Sequence, residues 1–193
     1  MRIEDVVNNV KVYGLEESIT ASKYPFAIDV SECNSDITKT VTKLAQSPKG
    51  SGEDTFLQGI IVQFDLTLPN KVWVEAERYH FFDFVSSMST MHRSTHLDMD
   101  KQCNEYVYKT TKNLLKEDIE EYQKNPSEEL FLKIIYNIPA GYRLTARMTT
   151  NYRQLKTIYS QRRKHRLPDW RVFCQWIETL PHSEFITGSN DNG

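Results

Sequence analysis

The chain has 193 residues, a net charge of −2, 39% hydrophobic residues and 26% charged residues. This composition predicts a folded globular protein and excludes an intrinsically disordered one. It has no apolar run long enough to cross a membrane and no signal-like segment, so we expect a cytoplasmic protein without a membrane partner. The cysteines, Cys33, Cys103 and Cys174, are odd in number and far apart, which predicts reduced thiols and no metal site.

The N-terminal part is predicted to contain a helix, a loop and a strand. Residues 2–13 fit a short helix or a strand equally well. Residues 35–46 have apolar side chains at helical spacing and predict a short amphipathic helix. The polar, glycine-containing stretch 47–54 predicts a flexible surface loop. Residues 60–68 alternate apolar and polar side chains, which predicts a strand.

Helices are predicted for most of the middle of the chain. The aromatic-rich run of residues 71–91 follows Pro69 and predicts one long helix. A second helix is expected within residues 102–123. A third runs from its cap, Ser127, to about Asn137. Alternation over residues 142–149 then predicts another strand.

The predicted helix of residues 151–166 is the most informative element. An amide and a guanidinium frame an apolar stripe at helical spacing: Asn151, Leu155, Ile158 and Arg162. A guanidinium held against apolar packing needs an anionic or planar polar partner. Asp169 is the only carboxylate between Gly141 and Phe173, so we expect this partner to come from a ligand. A last helix is predicted for residues 170–180.

The order of these features over residues 52–180 resembles the flavin-dependent thymidylate synthases, the ThyX family. Arg78, Tyr79 and His80 stand where the family has its R-H-R-x7-S motif. Pro139 lies twelve residues before the triplet that begins at Asn151, as in the family. The resemblance implies an α+β fold with a central antiparallel sheet flanked by long helices. We expect a single domain of this kind over residues 1–185 and a disordered tail over 186–193.

The resemblance also implies the roles of individual residues. Cofactor contacts fall on Thr55, Arg78, Tyr79, His80, Asn151 and Arg153. Nucleotide contacts fall on Ser86, Ser87, Ser89, Arg93 and Arg162. Arg162 is also the expected catalytic residue, because its planar donors suit the edge of a uracil ring. The family tryptophan that follows this arginine corresponds to Trp170.

The implied activity is reductive methylation of deoxyuridylate (dUMP), or a related pyrimidine nucleotide, at C5. The cofactor would be FAD, with methylenetetrahydrofolate and NADPH as co-substrates, in a homotetramer that shares its flavin sites between subunits. The chain departs from the family motif where Tyr79 and His80 replace a histidine and an arginine. An alternative is therefore a ThyX-fold protein that has lost or redirected its reaction and binds a nucleotide or, less favoured, nucleic acid through its basic cluster: Arg162, Arg163, Lys164 and Arg166. A third alternative is an assembly protein with Trp73 in its subunit interface.

Overall fold

The computed structural model describes residues 1–48 and 50–188. The strands are β1 (Val7–Tyr13), β2 (Ile61–Pro69), β3 (Phe82–Ser87) and β4 (Arg143–Asn151). The helices are α1 (Leu15–Ala21), α2 (Lys39–Ala45), α3 (Asn70–Ala76), α4 (Thr90–Arg93), α5 (Met99–Gln102), α6 (Lys109–Lys124), α7 (Glu128–Asn137), α8 (Tyr152–Arg162), α9 (Pro168–Ile177) and α10 (Glu184–Thr187). Short 3-10 turns include Thr55–Gln58.

The four strands form one antiparallel sheet in the order β1-β2-β4-β3. The predicted α+β class, with an antiparallel sheet and flanking helices, is confirmed. β2 and β4 lie where alternation predicted strands, over residues 60–68 and 142–149. In β2 the alternation predicted for residues 60–68 is real, because its apolar side chains are completely buried: Val62, Phe64, Leu66 and Leu68. None of the described helices is both long and apolar enough to span a membrane.

The chain divides into two compact units. Unit 1 consists of Met1–Asp65, Tyr79–Asp83 and the C-terminal segment from Met148, and unit 2 consists of Leu66–Arg78 and Phe84–Arg147. The prediction of a single domain over residues 1–185 remains a prediction.

Unit 1 has an aromatic core to which α9 contributes Trp170, Phe173 and Trp176. Phe64 on β2 lies 4.6 Å from Trp176 and 5.9 Å from Phe173, measured between ring centroids. Such contacts between buried rings remove large apolar areas from water and stabilise this unit. The helix α8 packs against α9 and α10, with its apolar stripe completely buried at Leu155 and Ile158.

Unit 2 has a separate core around the α6–α7 hairpin. Its buried members are Met99, Cys103, Leu115, Ile119, Ile134 and Tyr142. The predicted cap of α7 is confirmed, because the hydroxyl of Ser127 accepts a hydrogen bond from the backbone N–H of Leu130. Trp73 is buried and its indole N–H donates to the carbonyl of Leu144 at 3.2 Å. Trp73 is thus a core residue of this unit rather than an exposed anchor for a subunit interface.

The predicted long helix over residues 71–91 is wrong. α3 ends at Ala76, and β3 begins at Phe82 after a turn. The turn ends with Phe81 in the left-handed region, at a φ of 56°. A helix cannot continue through that conformation, and no glycine or proline in the sequence signals it.

Two smaller predictions also need correction. Ile186 and Thr187 belong to α10, and Ile186 is buried, so the predicted boundary of the tail at residue 186 is wrong. Residues 189–193 of that tail lie outside the described residues. The stretch 47–54 was predicted to be only a surface loop, yet Asp54 at its end is buried and ion-paired.

Candidate functional site

Unit 1 contains a cavity of about 730 Å³ beside the N-terminal half of α8. This volume lies within the range typical of small-molecule and cofactor sites. The lining comes from four places in the chain. These are the segment after α2, the Thr55–Gln58 turn together with the preceding Asp54, the residue Phe81, and α8 with its cap Asn151. The lining residues include Asp54, Gln58, Phe81, Asn151, Arg153 and Lys156.

Asp54 is the acidic centre of this cavity wall. Its side chain is almost completely buried, and its two oxygens have different partners. Oδ1 accepts from Nε of Arg153 at 2.9 Å, and Oδ2 accepts from Nζ of Lys156 at 2.9 Å. A buried carboxylate is stable only when its charge is compensated in this way. With two cations around one anion, the network contributes a net positive charge to the cavity wall.

Lys156 uses its whole donor capacity within the chain. Besides Asp54, its ammonium group donates to the carbonyl oxygens of Ala45 at 2.7 Å and Ser47 at 2.8 Å. An ammonium group has three N–H donors, so none is left for a ligand. Lys156 therefore fastens the segment after α2 to α8 and acts as a structural bridge.

Arg153, unlike Lys156, has N–H donors that remain available to a ligand. Among the described residues, its side-chain hydrogen bond runs through Nε to Asp54, and its side chain is 30% exposed. A guanidinium has four further N–H donors on its two Nη atoms, in a planar fork that matches phosphate or carboxylate oxygens. Among the described residues that line the cavity, Arg153 is thus the cation that can bind an anion directly.

Asn151 begins the helix that carries these cations. Its side-chain oxygen accepts from the backbone N–H of Gln154 at 2.9 Å, which makes it the N-cap of α8. The predicted helix therefore starts as expected, but it ends at Arg162 rather than Arg166. Asn151 and Arg153 are the two predicted cofactor contacts that line the cavity.

Phe81 is a cavity residue that the sequence analysis missed. Its ring is 65% exposed, although the run of phenylalanines that includes it suggests core packing. Its left-handed backbone costs about 1–2 kcal/mol for a residue other than glycine, and such strain clusters at functional sites. The hydroxyl of Thr150 donates to the Phe81 carbonyl at 2.7 Å and helps to hold the turn. The ring is an apolar platform on which a planar group can stack.

Thr55 lies next to the cavity but is not part of its lining. It begins the 3-10 turn directly after Asp54, and its hydroxyl donates to the carbonyl of Gly52. Gln58, three residues later, does line the cavity. Thr55 thus shapes the turn that supplies two of the lining residues.

Arg162 and Tyr79 form a second cluster in unit 1. Nε of Arg162 donates to the Tyr79 hydroxyl at 2.7 Å, and Nη1 lies 2.8 Å from Nε2 of His165. The guanidinium carbon lies 4.8 Å from the ring centroid of Trp170, which is completely buried. The guanidinium therefore has partners within the chain, contrary to the expectation that a ligand must supply them. Arg162 does not line the 730 Å³ cavity.

The other predicted contacts lie on exposed segments. His80 of unit 1 is an exposed turn residue. The remaining five belong to unit 2: Arg78, Ser86, Ser87, Ser89 and Arg93. Ser86 and Ser87 are exposed on β3, and the Ser89 hydroxyl pairs with Nδ1 of His92 at 2.9 Å.

Burial keeps the nearby thiol and phenols protonated. Burial raises the pKa of the Cys174 thiol to about 12, so it is no nucleophile at neutral pH. Burial likewise raises the pKa of Tyr152, whose hydroxyl donates to the carbonyl of Pro181. Neither Cys174 nor Tyr152 therefore provides an anionic nucleophile at neutral pH.

Comparison with solved structures identifies the fold. The structure of thymidylate synthase X (ThyX) from Helicobacter pylori with FAD and dUMP matches with a TM-score of 0.70 and 12% sequence identity, covering 94% of this chain and 96% of that chain. The chain has the ThyX fold. A second H. pylori ThyX structure, also complexed with FAD and dUMP, matches with a TM-score of 0.69, 12% identity and coverage of 94% and 97%. No family model and no curated protein matches the sequence.

The ThyX-like architecture predicted from the sequence is thereby confirmed. An identity of 12% leaves most side chains different, so the chemistry of the site has to be argued from the residues of this chain. Within the ThyX fold, this chain places Asn151 and Arg153 at one cavity and Tyr79 with Arg162 in a separate cluster.

Proposed function

We propose that this chain is an FAD-dependent, thymidylate synthase-like enzyme that methylates dUMP or a related pyrimidine nucleotide at C5. The observation that carries the proposal is the cavity of unit 1, where an available arginine fork and an exposed aromatic ring line the same space in a chain with the ThyX fold. The two H. pylori ThyX structures hold FAD and dUMP, which supports the same pair of ligands here.

The residues that line the cavity fit the chemistry of FAD. The cofactor joins an anionic pyrophosphate to planar rings, so it needs a cation with available donors and an apolar platform. Arg153 supplies the first and Phe81 the second. Asn151 holds the helix that carries Arg153, and Thr55 shapes the turn that carries Asp54. We assign these four residues to the cofactor side of the site.

When bound, FAD supplies the hydride chemistry, which no protein side chain can provide. The task of this chain is to bind and orient the reactants. We propose that Arg162 contacts the pyrimidine and that Tyr79 sets its orientation, because the Tyr79 hydroxyl accepts from the Nε of Arg162. The other predicted contacts keep their assigned roles: Arg78 and His80 toward the cofactor, and Ser86, Ser87, Ser89 and Arg93 toward the nucleotide. The proposal also includes methylenetetrahydrofolate and NADPH as co-substrates, a homotetrameric assembly and a cytoplasmic location.

The proposal is tested by the response of the flavin to nucleotide. Purified protein saturated with FAD is titrated with dUMP, with dTMP and with dCMP, and the visible flavin spectrum is followed. We expect a saturable spectral change with dUMP, and dTMP formation when methylenetetrahydrofolate and NADPH are added. Flavin that binds but never responds to a pyrimidine nucleotide would contradict the proposed substrate.

A second candidate function is a ThyX-fold protein that binds nucleic acid without the reaction. The observation in its favour is the exposed basic group at the end of α8: Arg163, Lys164 and Arg166. Such a group binds phosphates with a strong dependence on salt concentration. Binding of a single-stranded oligonucleotide that weakens steeply with salt, in protein that takes up no FAD, would favour this candidate.

A further inference from the structure

We propose that Asp54 is a positioning residue that orients Arg153 for an anionic group in the cavity. This inference rests on the proposed function, and it names the anion as the phosphate or pyrophosphate part of the cofactor. The carboxylate itself is buried and has both oxygens occupied by cations of α8, so it does not contact the ligand.

Arg153 contacts Asp54 through only one of its three guanidinium nitrogens among the described contacts. Asp54 binds Arg153 at Nε, through one oxygen at 2.9 Å. A two-point pairing of the carboxylate with the guanidinium would have used Nη donors as well. The single contact at Nε fixes the plane of the guanidinium while its Nη groups stay available in the wall of the cavity. This arrangement prepares the fork before a ligand arrives, which lowers the ordering cost of binding.

The second oxygen of Asp54 explains why this geometry is stable. Lys156 binds Oδ2 at 2.9 Å and also holds the carbonyl oxygens of Ala45 and Ser47. It thereby prevents the carboxylate from rotating toward the Nη groups, and it fixes the segment after α2. Lys156 has no donor left, so its contribution to ligand binding is indirect. The two cations beside one carboxylate consequently have different roles.

A double-mutant cycle with Asp54→Asn and Arg153→Gln tests the inference, because coupled residues give non-additive effects. Dissociation constants are measured for FAD and for riboflavin, which has the same ring system but no phosphate. Loss of charge-assisted hydrogen bonds to the anion should weaken FAD binding by about tenfold to a hundredfold in Arg153→Gln. We expect a similar loss in Asp54→Asn, little change for riboflavin in either variant, and no further loss in the double variant.

The stability of each variant is checked by thermal unfolding. Asp54→Asn leaves two cations without their carboxylate, so Asp54→Asn/Lys156→Met serves as a second variant with only one cation beside the neutral amide. It should lose FAD affinity like Asp54→Asn, because Arg153 is again without its anchor. Lys156→Met alone retains the contact between Asp54 and Arg153, and we expect a smaller loss of affinity from it than from Arg153→Gln.

Two results would overturn the inference. One is that Asp54→Asn weakens FAD binding by the same factor with and without Arg153→Gln. The other is that riboflavin binding falls in parallel with FAD binding, as expected if Asp54 only maintains the fold. If the unaltered protein takes up no FAD, the proposed function fails, and the same cycle is measured with inorganic pyrophosphate. Coupling between the two residues would then support the positioning role, and absence of pyrophosphate binding or of coupling would refute it.

Discussion

The hydroxyl of Tyr79 lies 2.7 Å from Nε of Arg162 and 2.9 Å from the side-chain oxygen of Gln161. A phenol has one proton to donate, so it donates to the Gln161 oxygen and accepts from Arg162. This relay connects the turn before β3 with the end of α8. Through it, Tyr79 holds the guanidinium of Arg162 in place.

Replacing Tyr79 by phenylalanine removes both hydrogen bonds and keeps the ring. We expect the free energy of unfolding to fall by about 1–2 kcal/mol, since each bond contributes about 0.5–1.5 kcal/mol. We also expect dUMP affinity to fall several-fold, because Arg162 loses an anchor. Chemical denaturation and dUMP titration measure the two effects. Tyr106→Phe, at a highly exposed tyrosine, is the control and should change neither.

Arg162→Ala removes the proposed pyrimidine contact together with the stacking on Trp170. The cation–π contact contributes about 0.5–2 kcal/mol, so the protein should still fold. We expect dUMP affinity to fall at least about tenfold, as for loss of a charge-assisted hydrogen bond. The matched control is Arg163→Ala, one residue later and exposed, with its guanidinium 5.9 Å from the ring of Tyr159. Equal dUMP affinity in the two variants would remove Arg162 from the nucleotide site.

Phe81→Gly separates strain from function at the turn before β3. Glycine adopts a φ of 56° without the steric cost that phenylalanine has there, so the free energy of unfolding should stay constant or rise by up to about 1 kcal/mol. FAD affinity should fall, because the exposed ring of the cavity is gone. The same measurements on Phe26→Ala, which also removes a highly exposed ring of unit 1, should show no loss of FAD affinity. A Phe81→Gly protein that binds FAD normally would show that the ring is no platform.

Stability should decline at alkaline pH because of buried acids. Burial raises the pKa of Cys174 from an ordinary value of 9.0 to about 12 and that of Tyr142 from 10.0 to about 12. The unfolded chain therefore releases these protons first, so the free energy of unfolding is constant below pH 9 and falls as the pH rises toward 12. The limiting slope is about 1.4 kcal/mol per pH unit for each group. Cys174→Ala should make this fall smaller without moving its onset, because burial also raises the pKa of the Cys103 thiol above its ordinary value of 9.0. Urea denaturation at several pH values measures the change, and an unchanged profile would contradict the assignment.

Local patterns were sufficient to predict much of the fold. Strand alternation located β2 and β4, and a serine cap located α7, because these signals depend only on neighbours in the sequence. The turn at residues 77–81 had no such signal. Its left-handed residue is a phenylalanine, in an aromatic-rich run that contains no glycine or proline. The predicted helix there was wrong because tertiary contacts, rather than local preference, determine the break.

The site was harder to predict than the fold. Asn151 and Arg153 were named from their motif, and both line the cavity. Asp54 was missed because it lies in a polar, glycine-containing stretch, and its partner Arg153 is 99 residues away in the chain. The exposure of Phe81 was not predicted either, because exposure depends on which surfaces the rest of the chain covers.

Flavin titration of the purified protein measures whether the cavity of unit 1 binds FAD through Arg153. Absorbance and flavin fluorescence are followed as FAD is added, in parallel with Arg153→Gln. We expect saturable binding of one flavin per chain, weakened at least about tenfold in the variant. A folded protein that takes up no FAD, or a variant that binds it as tightly as the unaltered chain, would contradict the claim.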